Sequence, residues 1–166
     1  MKSIILIGFM ASGKTTVGEL LAKKTGLPFV DIDRAIENEQ QKSISAIFSE
    51  SGEAYFRELE QKKLSEFKTN AAVISTGGGI ITTEATRTFL QQHPATIIYL
   101  KTSPMIFLAR LKGDETRPLA KNQTPEEIEK LFQSREAHYE AIASFSIETD
   151  SLSPLEIVSE IQTQLS

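Results

Sequence analysis

Ile4-Ile5-Leu6-Ile7-Gly8-Phe9-Met10-Ala11-Ser12-Gly13-Lys14-Thr15 decides how the rest of the chain is read. The four aliphatic residues read as a buried strand, and the run from Thr16 to Lys24 that follows reads as a helix. Between them, Gly8 to Thr15 fits G-x-x-x-x-G-K-[ST], the phosphate-binding loop pattern, in the strand–loop–helix setting that pattern requires. Backbone N–H groups of a glycine-rich loop at a helix N-terminus converge on an anion. Ala11, Ser12, Gly13, Lys14, Thr15 and Thr16 are therefore expected to hold the phosphates of a nucleoside triphosphate. Lys14 can reach the terminal phosphates, and the Thr15 hydroxyl can ligate the Mg²⁺ that travels with the nucleotide.

The composition excludes several classes. At 166 residues one domain is expected, with 40% hydrophobic and 24% charged residues as in an ordinary globular protein. A net charge of −4 points to neither a nucleic-acid nor a membrane partner, and no apolar run approaches a membrane span. Met1-Lys2-Ser3 and the aliphatics after it could imitate a signal peptide, but the run is too short. With no cysteine, disulfides, thiol chemistry and Cys-based metal sites are ruled out, which fits a cytoplasmic location. A monomer is expected.

Outward from the loop, short apolar segments at 3–7, 28–32, 72–76, 96–101 and 145–148 alternate with longer amphipathic ones. Ile- and Val-rich strands alternating with helices indicate an α/β protein with a parallel sheet covered on both faces. Ligands of such sheets bind beyond the C-terminal strand ends, so the informative polar residues should follow the strands. After the second comes Phe29-Val30-Asp31-Ile32-Asp33, where an extended chain would turn both carboxylates to one side, suited to Mg²⁺ and an acceptor hydroxyl. The bland alternative is a pair of turn or cap aspartates before the next helix, which Asp33 could cap. After the third strand comes Gly77-Gly78-Gly79, bare backbone that a ligand can approach closely.

Residues 43–52 read as a short capped helix closed by Gly52, and a longer helix runs from about 53 to 68. Within it, Glu53 and Glu60 stand four and three residues from Arg57 and can brace it. From spacing alone, Arg57 is most simply a solvated helix charge. Phe48 and Phe56 read as core residues or as an apolar wall beside a site. A helix from about Ser103, with Pro104 in its first turn, carries Arg110. The polar loop 112–123, with Arg117 before Pro118, has the length and composition of a lid. Thr124-Pro125-Glu126-Glu127 opens the helix carrying Arg135 and Tyr139, and Ser153-Pro154-Leu155-Glu156 opens the last helix. His93 and His138, lacking partners at ligand or triad spacing, read as surface residues.

Taken together, these residues resemble the shikimate kinases of aromatic amino-acid and chorismate biosynthesis. The resemblance runs the length of the chain: the loop 8–15, Asp31-x-Asp33, residues 43–48, Gly52-Glu53, Phe56-Arg57-x-x-Glu60, the glycine run, Arg117-Pro118-Leu119, and Arg135 with Tyr139. It implies a single three-layer P-loop kinase domain, with a five-stranded parallel sheet in the order 2-3-1-4-5, a substrate-binding segment at about 33–60 and the lid at about 112–123. The implied reaction moves the ATP γ-phosphoryl group to the 3-hydroxyl of shikimate. By similarity, Asp33 binds that hydroxyl and can act as base, while Arg57 and Arg135 hold the substrate carboxylate. Gly78 and Gly79 offer backbone contacts, Thr15 ligates Mg²⁺ with Asp31 assisting, and Lys14 and Arg117 place charge on the phosphates. Arg110 and the segment at Leu152 lie beside adenine.

Three residues depart from the family's usual pattern. Ala11 replaces a glycine, tolerable at negative φ; Ala120 replaces a leucine of the lid; and Leu152 replaces an arginine near adenine. Fold alone does not choose between shikimate and the acceptors of related enzymes such as gluconate kinase or nucleoside-monophosphate kinases. A nucleotide-binding module without catalysis is the alternative of a different class.

Overall fold

The computed structural model describes residues 1–112 and 123–166. β1 (Ile4–Ile7), β2 (Phe29–Asp31), β3 (Val73–Ser75), β4 (Thr96–Lys101) and β5 (Phe145–Glu148) form one parallel sheet in the order β2-β3-β1-β4-β5. Between and after them run α1 (Lys14–Thr25), α2 (Ile32–Gln40), α3 (Ile44–Ser65), α4 (Glu84–Gln92), α5 (Pro104–Lys112), α6 (Pro125–Ile142) and α7 (Pro154–Leu165). The strand order is the one the resemblance implies.

β1 shows why these residues make a central strand. Ile5 and Ile7 join one apolar cluster with Ile32, Phe56, Leu64, Tyr99 and Tyr139, while Ile4 and Leu6 join another with Val17, Leu21, Ile98 and Ile157. The two-residue period thus feeds both faces of the sheet, and a strand apolar on both sides is stable only between two layers of helix. α1 packs close to the sheet because Gly18 has no side chain; a Cβ there would stand 2.5 Å from the Phe29 ring. The helix starts expected at Thr124 and Ser153 are present, the latter as a full capping box. Gly52, at φ 85°, interrupts α3 where the break between two helices is expected. No helix among the described residues is long and apolar enough to cross a membrane.

Two expectations are corrected. The second strand stops at Asp31 instead of running to Ile32, so Asp31 and Asp33 do not share one face of an extended chain. Asp31 is the N-cap of α2, its Oδ1 accepting from the Arg34 amide at 3.3 Å, and Asp33 lies in the first helical turn. The capping preference of aspartate ends the strand there. His93 is buried, not a surface residue: Nε2 pairs with the Leu64 carbonyl at 2.9 Å and Nδ1 accepts from the Ala95 amide at 3.1 Å. With both ring nitrogens used, the imidazole can sit inside as the neutral tautomer, and burial lowers its pKa.

Candidate active site

The phosphate loop leaves β1 at Gly8 and enters α1 at Lys14. Gly13 turns the chain into the helix at φ 92°, a left-handed conformation that suits glycine. Lys14 is largely buried, its Nζ donating to the carbonyls of Gly8 at 2.7 Å and Phe9 at 2.9 Å, with Ser12 Oγ at 3.4 Å. The ammonium is thus fixed across the loop's mouth. Thr15 and Thr16 are exposed in the first helical turn. Ala11 overturns the condition attached to it, because its φ is +60°, not negative. The left-handed conformation is held from outside: Arg110 Nη1 donates to the Ala11 carbonyl at 2.7 Å. Arg110 is thereby placed beside the phosphate loop, whereas Leu152 packs half-buried against the apolar cluster of Ile147 and Ile157.

The glycine run after β3 is the ruler of the other half. A Cβ on Gly77 would stand 2.8 Å from Asp33 Oδ2, one on Gly78 3.3 Å from the Met10 amide nitrogen, and one on Gly79 2.6 Å from Arg57 Nη2 and 3.8 Å from Arg135 Nη2. Successive glycines therefore touch the acid, the phosphate loop and both arginines in turn. None of the three has a left-handed φ, so close approach, not flexibility, requires glycine here. The run leads into a 3₁₀ turn, Gly78–Ile81.

Arg57 corrects the bland reading of a solvated charge. It is 7% exposed, with Nη1 donating to Glu60 Oε1 at 2.7 Å and Nη2 to Glu53 Oε1 at 3.2 Å. A buried guanidinium survives only when paired, and Glu60, wholly buried, is the partner that allows it. Phe48 and Phe56 serve as an apolar wall, their ring centroids 5.9 and 5.2 Å from the Arg57 guanidinium. Arg135 rests in the same way over Phe9, at 5.9 Å. Thr82 Oγ1 lies 2.7 Å from the Gly79 carbonyl and 3.1 Å from Glu53 Oε1, tying the glycine run to α3.

This end of the site carries polar capacity that the described residues leave unmet. Asp33 Oδ1, Glu60 Oε2 and Arg135 Nε are buried without a hydrogen-bond partner among them. Burial first, then the neighbouring Asp31 charge, raises Asp33 to about 6 against the opposing pull of Lys14 and Arg57. Burial likewise raises Glu60 to about 7, with Arg57 opposing. Lys14 and Arg57 both act on Asp33, so the carboxylate feels the charge of the phosphate loop and of the α3 arginine together. An acid with unmet acceptors, poised near neutral pH beside a lysine, can bind a hydroxyl and take its proton.

The structure brings Asp33, Lys14, Arg57, Gly78, Gly79 and Arg135 together, with Asp31 at the α2 cap and Arg110 at the loop crest. Arg117 and Ala120 of the expected lid lie outside the described residues. Sequence reading gave no place to Thr82 or Phe9. Tyr139, named with Arg135 in the sequence but given no role there, shares a helix face with it at i,i+4 spacing.

Comparisons with known proteins fit this geometry. Residues 10–166 match the family model described as shikimate kinase. A shikimate kinase of Enterococcus faecalis is 44% identical over 99% of both chains, and one of Persephonella marina 44% over 97% of both. Among solved structures, shikimate kinase from Acinetobacter baumannii in complex with shikimate superimposes with a TM-score of 0.89 at 35% identity, covering 99% of this chain and 93% of that one.

Proposed function

Because the chain belongs to the shikimate kinase family, we propose that it transfers the γ-phosphoryl group of ATP to the 3-hydroxyl of shikimate, with Asp33 as the group that binds and deprotonates that hydroxyl. The observation that carries the residue assignment is the glycine run, against which Asp33, the phosphate loop, Arg57 and Arg135 all lie. Arg57 and Arg135 take the substrate carboxylate, for which two planar forks are suited. Gly78 and Gly79 line the acceptor with backbone alone.

Transfer then proceeds with little covalent work by the protein. As the acceptor oxygen bonds to the γ-phosphorus, its proton passes to an Asp33 carboxylate oxygen. The bond from phosphorus to the bridging oxygen breaks, and ADP leaves with that electron pair. Lys14 and the loop amides hold the transferring oxygens, and Arg117 adds charge from the lid; positioning and charge supply most of the acceleration. Arg110 and Leu152 flank the adenine side.

The donors fit Mg²⁺, a hard cation that takes oxygen ligands and reaches such sites with a nucleotide. Thr15 offers an exposed hydroxyl at the loop's end, Asp31 a carboxylate at the α2 cap, and the unpartnered Asp33 Oδ1 shows that acidic oxygens nearby have spare capacity. We assign Thr15 as a ligand and Asp31 as its support. When bound, the ion neutralises charge on the phosphate oxygens.

We further infer a monomeric, cytoplasmic enzyme with no nucleic-acid or membrane partner. The family match weighs against gluconate or a monophosphate as acceptor, and a base at Asp33 has no use in a module that only binds nucleotide. The direct test is ADP release by the purified protein with MgATP. Shikimate should raise it at least tenfold above gluconate or AMP, and absence of any shikimate-dependent release would overturn the proposal.

A further inference from the structure

Tyr139 shares a face of α6 with Arg135, yet no step of the proposed transfer uses it. Its ring is fully buried and stacked on Tyr99, with centroids 5.0 Å apart and planes 20° from parallel. A phenol in such a place needs a hydrogen-bond partner. Tyr139 has one: its hydroxyl donates to the Gly78 carbonyl, making a bond between residues 61 apart in the chain. Arg135 lies beside the same phenol, where its charge opposes the effect of burial. Burial still pushes the group up to about 12, so the hydroxyl remains a donor across the working pH range. Tyr99 supplies the contrast. It is equally buried, but its hydroxyl has no partner among the described residues.

We propose that Tyr139 is a positioning residue for the acceptor, holding the Gly78–Gly79 peptide in register with Arg135. Because the peptide is planar, fixing the Gly78 carbonyl in one direction fixes the Gly79 N–H in the opposite one. Gly79 is also the residue against whose α-carbon both guanidiniums lie. One hydroxyl therefore ties the backbone that faces both arginines to the helix that carries one of them. Thr82 ties the Gly79 carbonyl to the α3 side at 2.7 Å; Tyr139 ties the preceding carbonyl to α6, and small displacements of positioning groups weaken binding and transfer.

The inference rests on the acceptor-site reading above, and the two can fail separately. In the full-length protein, Tyr139→Phe keeps the stacked ring and removes the hydroxyl, with both its bond to the Gly78 carbonyl and its hydrogen bond with Arg135, and Tyr99→Phe removes the hydroxyl of the neighbouring ring. Loss of one net hydrogen bond is worth about five- to tenfold. Tyr139→Phe should raise KM for shikimate by about that factor, while kcat and KM for ATP stay within about twofold. It should also shift the Gly78 and Gly79 amide resonances, and Tyr99→Phe should leave all three kinetic constants within about twofold. An unchanged shikimate KM in Tyr139→Phe, a parallel loss in all three constants, or an equal effect from Tyr99→Phe would overturn the positioning role alone. If the unsubstituted protein shows no shikimate-dependent ADP release, the acceptor reading falls and this inference with it.

Discussion

The phosphate loop comes from one unbroken stretch, residues 8–15, whereas the proposed acceptor side draws Asp33, Arg57, Gly79 and Arg135 from separate segments. The two halves also differ in how well their polar groups are satisfied. At the loop, Lys14 already rests on the carbonyls of Gly8 and Phe9. On the acceptor side, Asp33, Glu60 and Arg135 each keep a buried polar atom without a partner among the described residues. A loop built of backbone amides needs only the right turn to be ready for its ligand. An acceptor site built of buried charges holds itself in an unfavourable state that a ligand can relieve.

On this contrast the largest effect should come from the acid. Asp33→Asn should lower kcat by about 10²–10³-fold, the scale of a lost general base, with KM for ATP nearly unchanged. Arg57→Lys keeps the charge that buried Glu60 needs but loses the planar fork, so it should raise KM for shikimate by about tenfold and leave kcat largely intact. Steady-state kinetics in both substrates separates these outcomes. Near-full turnover by Asp33→Asn would remove the base assignment.

A smaller effect is expected from pH. With Asp33 at about 6, its carboxylate is the ionised base above that value and a neutral acid below it. The ratio kcat/KM for shikimate should therefore fall by about tenfold between pH 8 and pH 5, and the fall should be much weaker in Asp33→Asn, measured against residual activity. An identical profile in the variant would assign the ionisation to another group.

The smallest effects are on stability, and they compare the halves directly. A carboxylate raised from 3.8 to about 6 on folding binds its proton more tightly in the native state. The native protein is therefore favoured at low pH, and that advantage is lost as pH rises from about 4 to 6 and stays lost above. At neutral pH, Asp33→Asn should consequently stabilise the fold by about 1–2 kcal/mol. On the loop side, Ala11→Gly relieves a left-handed alanine but loses a methyl, for a net gain of about 0.5 kcal/mol. Chemical denaturation measures both, and a clear loss on Asp33→Asn would mean that the acid is not a strained group.

The same contrast explains what could be read from sequence. The loop and the alternation of strands with helices were legible because their signals are local: aliphatic runs at regular intervals, and a motif whose spacing is itself the geometry; the strand order is non-local and came from the family resemblance alone. Asp31 was misjudged because a strand ending at a capping aspartate and a strand running two residues further present the same letters. His93 was misjudged because its partners, the Leu64 carbonyl and the Ala95 amide, are backbone groups that no pattern of side chains announces. Arg57 looked solvated because the i,i+3 and i,i+4 carboxylates that brace it would be equally suited to an exposed helix. Only the packing of α3 under the glycine run distinguishes the two. Ala11 failed its condition for a similar reason, since the hydrogen bond that accompanies its positive φ comes from Arg110, 99 residues away.

The glycine run also limits how this protein could be redesigned. Methyl groups at positions 77 and 79 would run into Asp33 and Arg57, so substitution there does not reshape the cavity but displaces the groups that define it. A change at Phe48, which is half-buried and meets the Arg57 guanidinium through its ring, leaves the glycine run untouched. A library aimed at new acceptors should vary Phe48 and leave the glycines fixed.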